Sequence, residues 1–251
     1  MLTKADIQLV RSLDSRKGRR REGLFVAEGP RLVGELIGHF ECHKLYATAP
    51  WLEANANPQA RRIEEITTAE LSRLSLLQAP NQVVALFKIP EDRVEEEGLK
   101  GLHLALDNVQ DPGNLGTIIR VADWFGVENI WCSMTTADVW NPKVVQASMG
   151  GLARVRVHYI DLVAFLGLQS QHMPVFATSL GGESLWSQQL AEDAIIVMGN
   201  EGNGISREVD ALCTRRLLIP NYPPERATTD SLNVAMATGI VLGEFRRQLF
   251  R

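Results

Sequence analysis

Cysteine, histidine, positive charge and long apolar runs are all scarce in this sequence, and each scarcity removes a class of protein. The three cysteines, Cys42, Cys132 and Cys213, are scattered and odd in number. That excludes a disulfide framework and fits a reducing compartment. No apolar run approaches the ~20 residues of a membrane span. The opening Met1-Leu2-Thr3-Lys4-Ala5-Asp6 carries no secretory apolar segment, so a cytoplasmic protein with no membrane partner is expected. His39, Cys42 and His43 are neighbours, with the two histidines expected on one helix face, but no second cluster accompanies them. Zinc needs three or four ligands, so this group reads as a surface helix end and no metal is expected. The net charge of −4 excludes a general nucleic-acid coat.

Several motifs are also missing. There is no G-x-x-x-x-G-K-S/T phosphate loop and no G-x-S-x-G nucleophile turn. Gly199, Gly202 and Gly204 stand in the wrong order, and too late in the chain, for the dinucleotide fingerprint G-x-G-x-x-G. They are either ligand-free turns or places where backbone approaches a ligand closely.

At 251 residues, 45% of them hydrophobic, the chain can build one large domain or two small ones. Its charge is unevenly placed. Arg16-Lys17-Gly18-Arg19-Arg20-Arg21 sets five cations in six positions, expected as a loop, while acids gather at Glu91-Asp92-Arg93-Val94-Glu95-Glu96-Glu97. The basic run is either a phosphate-binding patch or a solvated charge run.

The first half alternates strand-like and helix-like runs. Thr3 caps a helix through Leu13; Leu24–Ala27, Lys44–Ala47 and Val83–Ile89 read as strands. Helices are expected from Gly29-Pro30 to Gly38, over Pro50–Asn55, and from a Thr68 cap to Leu74. This βαβα pattern predicts a small α/β domain over residues 1–90. Residues 91–101, which follow Pro90 and carry two glycines and the acids, read as a linker.

Residues 102–251 form a second α/β domain. Strands are predicted at Leu102–Asp107, Asn129–Cys132, Val155–Val157, Val175–Thr178, Ala194–Met198 and Leu217–Ile219. Helices fall between them, the first capped by Asn114 and the last running from about Leu232 to Leu249. That spacing predicts an open parallel sheet with helices on both faces. In the last helix Ala235, Gly239 and Gly243 recur every four residues. Helix glycine costs up to ~1 kcal/mol against alanine, so this ridge needs a packing partner, within the monomer or across a homodimer.

Three polar segments follow buried strands: Asn108–Arg120, Gly199–Gly204 and Asn221–Asn233. Strand ends of a parallel sheet share one edge, so the segments can converge. They supply Asn114, Arg120, Asn200, Glu201, Ser231 and Asn233. Arg120 is either a surface cation with a buried stem or a guanidinium for a phosphate.

These residues resemble a known family. Asn114-Leu115-Gly116-Thr117-Ile118-Ile119-Arg120 with Ala122 and Phe125-Gly126, then Ala147-Ser148-Met149-Gly150, then Ile196 to Gly204, then Ile219-Pro220 with Ser231-Leu232-Asn233-Val234-Ala235, look like the motifs of the SpoU/TrmH branch of the SPOUT superfamily. Its members are knotted RNA ribose methyltransferases, and the likeness spans about residues 102–246. Arg16-Lys17 and Phe25-Val26-Ala27-Glu28-Gly29 are similar to the small α/β substrate-binding domain often fused in front.

The resemblance implies an α/β protein whose C-terminal parallel-sheet domain is tied in a deep trefoil knot, which ordinary topology rules would not predict. It implies an S-adenosyl-L-methionine pocket formed by Thr178, Ser179, Leu180, Gly199, Asn200, Gly202, Ile219, Leu232 and Asn233. It implies a homodimer through catalytic-domain helices, which favours the intermolecular reading of the glycine ridge. The implied reaction is methyl transfer to an RNA ribose 2′-OH. Arg120 matches the catalytic arginine; arginine stays protonated below pH ~12, so gripping phosphate and stabilising alkoxide suit it better than accepting a proton. Asn114, Glu201, Ser231 and Asn233 would orient the hydroxyl, the arginine or the loops. Arg16, Lys17, Arg19, Arg20, Arg21 and Arg120 would contact RNA, ribosomal in preference to transfer RNA because a separate binding domain suits a structured ribosomal site.

One departure stands out. Ten residues, Asn221–Asp230, separate Ile219-Pro220 from Ser231-Leu232-Asn233, more than the family usually has, and read as a lid, a substrate contact or a surface insertion. Three alternatives stay open: a transfer-RNA ribose methyltransferase, a catalytically silent RNA-binding homologue, and a SPOUT base methyltransferase. Methyl incorporation, and the position of the methyl in the nucleoside, separate them.

Overall fold

The structure is a computed structural model that describes residues 2–91, 96, 98–223 and 226–249. Asp92 to Glu95 and Glu97 of the expected acidic linker, and Pro224 and Glu225 of the expected insertion, lie outside the described residues. The chain forms two compact units. One comprises Met1–Asp92 with Asp138–Ala153, the other Arg93–Ala137 with Arg154–Arg251. The division in the first hundred residues falls within the expected linker segment. Residues 138–153 depart from expectation: they sit in the sequence of the second domain but pack with the first unit.

In the first unit, helix α1 (Lys4–Ser12) starts at Thr3 through a capping box with Asp6. The basic run differs from the expected loop: it is helix α2 (Arg16–Glu22), with Ser15 capping its start and Gly23 in the left-handed region at its end. It carries no apolar periodicity, so only its caps and one buried cation mark it. That cation is Arg19, whose guanidinium donates to Leu13 O at 2.7 Å, Asp14 O at 2.8 Å and Asp138 Oδ2 at 2.6 Å. Arg19 is buried and so is unavailable to RNA, against the sequence reading. A buried cation needs its charge and donors satisfied inside, and three oxygens do that here.

The sheet of this unit has strand order β1-β4-β2-β3, built from β1 (Leu24–Glu28), β2 (Cys42–Ala47), β3 (Ile63–Glu65) and β4 (Val83–Lys88). β4 runs antiparallel to both β1 and β2, and β3 pairs parallel to β2. β3 is a three-residue edge strand with two exposed positions, which left no apolar signal in the sequence. Helices α3 (Pro30–Leu36), α4 (Ala49–Ala54) and α5 (Thr68–Leu74) complete it; the cap of α5 is Thr67 rather than Thr68, with its own capping box to Glu70. α3 stops before His39, and His43 lies in β2, so these two residues do not share a helix face.

Phe25, Phe40 and Phe87 form an aromatic cluster completed by Trp140, whose ring centroid is 4.6 Å from that of Phe25. Trp140 precedes helix α7 (Pro142–Ser148), which explains why residues 138–153 belong here. A Cβ on Gly150 would lie 2.5 Å from Glu35 Cβ, so this segment also meets α3 too closely for a larger residue.

The second unit holds a six-stranded, wholly parallel sheet of order β10-β8-β9-β5-β6-β7. Its strands are β5 (Leu102–Leu106), β6 (Asn129–Ser133), β7 (Arg156–Ile160), β8 (Val175–Ser184), β9 (Ala194–Met198) and β10 (Arg215–Leu218). β5 and β9 are buried at every position and sit side by side in the middle, as runs that are apolar but for His103 demand. Its helices are α6 (Pro112–Trp124), α8 (Leu162–Gln169), α9 (Arg207–Asp210) and α10 (Val234–Leu249). From β5 the chain first builds outward to β6 and β7, then returns to the other side for β8, β9 and β10. The order therefore reverses between β5 and β9, where open α/β sheets place their ligand crevice at the strand C-termini. No helix among the described residues is long and apolar enough to cross a membrane.

Candidate active site

The site begins with a gap in a ladder. β8 pairs with β10 twice: Phe176 and Ala177 face Arg215 and Arg216, and Glu183 and Ser184 face Leu217 and Leu218. Residues 178–182 are thus pushed out of the sheet between two adjacent residues of β10. This accounts for β8 being longer than the expected Val175–Thr178. The neck of the extrusion is tight, since a Cβ on Gly182 would lie 2.7 Å from the carbonyl carbons of Arg216 and Leu217. Thr178 anchors the start through Oγ1, which donates to Val197 O at 3.0 Å.

After β9 the chain folds back on itself. Asn200 and Gly204 exchange two backbone hydrogen bonds of 2.9 Å each. The Asn200 side chain fills the turn, its Oδ1 accepting from Gly202 N and Asn203 N and its Nδ2 donating to Asn108 O at 2.8 Å. Gly199 is required by space: a Cβ there would lie 2.4 Å from Gly204 C and from Ile205 N. Asp107, at the end of β5, fixes the exit by accepting from Ser206 N at 2.7 Å.

The third component is the start of α6. Its cap is Asp111, whose Oδ1 accepts from Asn114 N at 2.8 Å, in place of the expected Asn114. That frees the Asn114 side chain. Its Nδ2 donates to Glu201 Oε1 at 2.7 Å, and its Oδ1 accepts from Asn233 Nδ2 at 2.8 Å. Asn233 in turn caps α10, its Oδ1 accepting from Ala235 N and Met236 N. Three segments far apart in sequence are thereby joined by one chain of side-chain hydrogen bonds, from the α10 N-terminus through Asn114 to Glu201. One Glu201 oxygen is oriented by it.

The loops surround a cavity of about 630 Å³, large enough for a nucleoside-sized ligand. Thr178, Ser179, Leu180, Gly199, Asn200, Gly202, Ile219 and Leu232, each read from the sequence as a cofactor contact, line it, as do Glu201 and Ser231. Asn233 and Asn114 stand outside the lining and reach it through Glu201. Arg120 is exposed on α6, with no hydrogen bond or ion pair among the described residues, and also stands outside the lining. Sequence reasoning missed Arg207, Asp210 and Arg216 as lining residues, and had Asp230 only as the end of the Asn221–Asp230 stretch. Nothing in their spacing singled them out; Asp210 and Arg216 pair across six positions, Nη2 to Oδ2 at 2.7 Å, which only the turn between α9 and β10 permits.

The lining suits S-adenosyl-L-methionine on two observations. A Cβ at Gly199 would strike the backbone of Gly204 and Ile205, so the doubled-back loop closes on a glycine that lines the cavity with its main chain alone. Leu180 and Leu232 keep exposed apolar surface on opposite loops, suited to the faces of a purine. Cysteine chemistry is absent from this picture: burial pushes the thiols of Cys42 and Cys213 up to about 12 and that of Cys132 higher still, so each stays protonated and unreactive.

The glycine ridge of α10 is answered within this unit. A Cβ on Gly239 would meet Val121 Cγ1 at 3.8 Å and one on Gly243 would meet Phe125 Cζ at 3.6 Å, both on or beside α6. Both are ordinary contacts, so the ridge has a packing partner within this unit, α6.

A parallel α/β sheet with a nucleoside-sized cavity at its strand ends defines a nucleotide- or cofactor-binding α/β protein. The chain belongs to the SpoU rRNA methylase family, whose model matches residues 101–243. A second model, the MRM3-like substrate binding domain, matches residues 4–85. The chain is similar to the 23S rRNA (guanosine(2553)-2'-O)-methyltransferase RlmP of Bacillus subtilis, 27% identical with 94% of each chain covered. Among solved structures it resembles an RNA methyltransferase of the TrmH family from Porphyromonas gingivalis, with TM-score 0.90, 43% identity and 99% of both chains covered. It also resembles an AdoMet-bound rRNA methyltransferase from Sinorhizobium meliloti, with TM-score 0.82, 27% identity and 99% and 97% covered.

Proposed function

We propose that this protein transfers a methyl group from S-adenosyl-L-methionine to a ribose 2′-OH of ribosomal RNA. The observation that carries the reading is the junction of Glu201, Asn114 and Asn233 at the rim of the strand-end cavity. The relatives add direction: the Bacillus subtilis protein is named for 2'-O-methylation of 23S rRNA, and the Sinorhizobium meliloti structure holds AdoMet.

Bound in the cavity, S-adenosyl-L-methionine would supply an electrophilic methyl on a sulfonium, with S-adenosylhomocysteine as the neutral leaving thioether and the 2′-OH proton released to water. Thr178, Ser179, Leu180, Gly199, Asn200, Gly202, Ile219 and Leu232 hold it. Arg120 grips the phosphate beside the target ribose and stabilises charge developing on the 2′ oxygen, roles that need a permanent cation with free donors. Asn114 keeps one Glu201 oxygen engaged, so that the other faces substrate in one orientation. Ser231, on the rim, donates to or accepts from the ribose. Alignment of the hydroxyl is the larger part of the task, since holding reactants in line replaces a costly encounter.

Three further elements belong to this reading. The C-terminal chain threads a loop to form a trefoil knot, for which the extrusion of residues 178–182 across β10 is support. Arg16, Lys17, Arg20 and Arg21, exposed on α2, contact RNA phosphates. Two copies pair through α6 and α10, where Trp124 and Met236 remain 85% and 65% exposed, large apolar surfaces that a partner copy would cover. The test is to map 2′-O-methyl groups in total RNA from cells with and without the protein. Loss of one ribosomal 2′-O-methyl is expected. Loss of a base methyl, loss from transfer RNA alone, or no change would overturn the proposal.

A further inference from the structure

Five charged residues line the cavity: Glu201, Asp210 and Asp230 against Arg207 and Arg216. Two of them cancel. Arg216 holds Asp210 through Nε at 3.1 Å and Nη2 at 2.7 Å, a two-point pair that satisfies both charges. What remains is two carboxylates, Glu201 and Asp230, and one guanidinium, Arg207. The Arg207 side chain has no hydrogen bond or ion pair among the described residues, and Arg207 is the exposed first residue of α9.

That remainder is the complement of one ligand. S-adenosyl-L-methionine carries two positive groups, the sulfonium and the α-ammonium, and one negative group, the α-carboxylate. We infer that Arg207 binds the α-carboxylate of the cofactor's amino-acid tail and so selects for a ligand that carries the tail. The inference rests on the cavity being the cofactor site. Its physical basis is that a free guanidinium at a partly enclosed rim gives a carboxylate charge-assisted hydrogen bonds that neutral lining residues cannot. Leu180, Ile205 and Leu217 give the wall an apolar portion that suits the adenosine, and the neutral polar side chains beside them, such as Ser179 and Asn203, carry no positive charge for a carboxylate. Arg216 cannot take the same part without giving up Asp210.

The test is calorimetric titration of the full-length protein with two ligands, S-adenosylhomocysteine and 5′-methylthioadenosine, the second lacking the amino-acid tail. Arg207→Gln should weaken S-adenosylhomocysteine about tenfold, the order expected for one charged contact at a solvated site, and leave 5′-methylthioadenosine unchanged. Arg207→Lys should recover part of the loss. Equal loss for both ligands, or no loss for either, overturns the inference. So does unchanged ligand binding with weaker RNA binding and a shallower salt dependence, which would make Arg207 a phosphate contact. If the wild-type protein binds neither ligand, the reading of the cavity itself fails.

Discussion

Gly199→Ala isolates what the doubled-back loop contributes to cofactor binding. A methyl at this position would lie 2.4 Å from Gly204 C and Ile205 N and 2.6 Å from Gly204 O, all backbone atoms. No rotamer change relieves such a contact, so residues 199–204 must open. Opening breaks the two 2.9 Å hydrogen bonds between Asn200 and Gly204. At about 1 kcal/mol net for each bond, the loop loses about 2 kcal/mol of preorganisation. A ligand that needs the closed loop must restore it, so affinity for S-adenosylhomocysteine should fall about 30-fold. The control is Gly167→Ala, on α8 and outside the cavity lining. Nothing lies within 4 Å of its Cβ, so affinity should not change. Calorimetric titration reads both, and a thermal melt confirms that both variants fold. Wild-type affinity in Gly199→Ala, or an equal loss in Gly167→Ala, would refute the reasoning.

Other outcomes follow from the same geometry. Arg120→Ala should abolish methyl transfer in a tritiated-methyl assay while S-adenosylhomocysteine binding survives; wild-type-like turnover would remove Arg120 from the chemistry. Asn233→Asp keeps the oxygen that caps α10 but loses the donor to Asn114; stability by urea titration should hold while turnover falls, and unchanged turnover would show the chain of hydrogen bonds to be dispensable. Arg19→Met should cost about 3–5 kcal/mol in urea titrations, because it strips the partner from Asp138 in a largely buried pair; Arg20→Ala should leave stability intact and weaken RNA binding, read in a filter-binding salt series. Asp6 is opposed by burial, but hydrogen bonds from Lys44, Thr3 and Tyr46 outweigh it and hold its carboxyl far below the ordinary value. A depressed acid contributes stability above its unfolded value of about 3.9 and loses it as pH falls from there toward the folded value. The stability gap between wild type and Asp6→Asn should therefore be constant from pH 7 to about 5 and shrink below 4; a gap independent of pH would overturn it.

The sequence made the second unit's sheet legible because its central strands are buried on both faces, and burial on both faces writes an unbroken apolar run. Ala194–Met198 is such a run and Leu102–Leu106 is one interrupted only by His103, and both are strands. It made the cavity legible for a related reason: in a parallel sheet all strand ends fall on one edge, so polar residues that follow different strands meet. Eight of the nine residues that the family resemblance implied as cofactor contacts line one cavity, and the shared sheet edge is why they meet. The motif residues Asn114, Glu201 and Asn233 meet directly.

Tertiary structure alone decided the rest, wherever a residue's role depends on a distant partner. The five cations of the basic run look alike in sequence, yet Arg19 is consumed by Leu13, Asp14 and Asp138 while Arg16, Lys17, Arg20 and Arg21 face solvent. Asp111 took the cap that Asn114 was expected to fill, and so left an amide to join two loops. Trp140 drew residues 138–153 into the first unit by packing on Phe25. The ridge of Ala235, Gly239 and Gly243 announced a close helix contact without naming the partner, and α6 proved to be it. Periodicity and strand ends are local or edge-wide properties that a sequence records; which charge is buried, which amide is free and which helix fills a groove are set only when distant segments compete for the same space and the same hydrogen bonds.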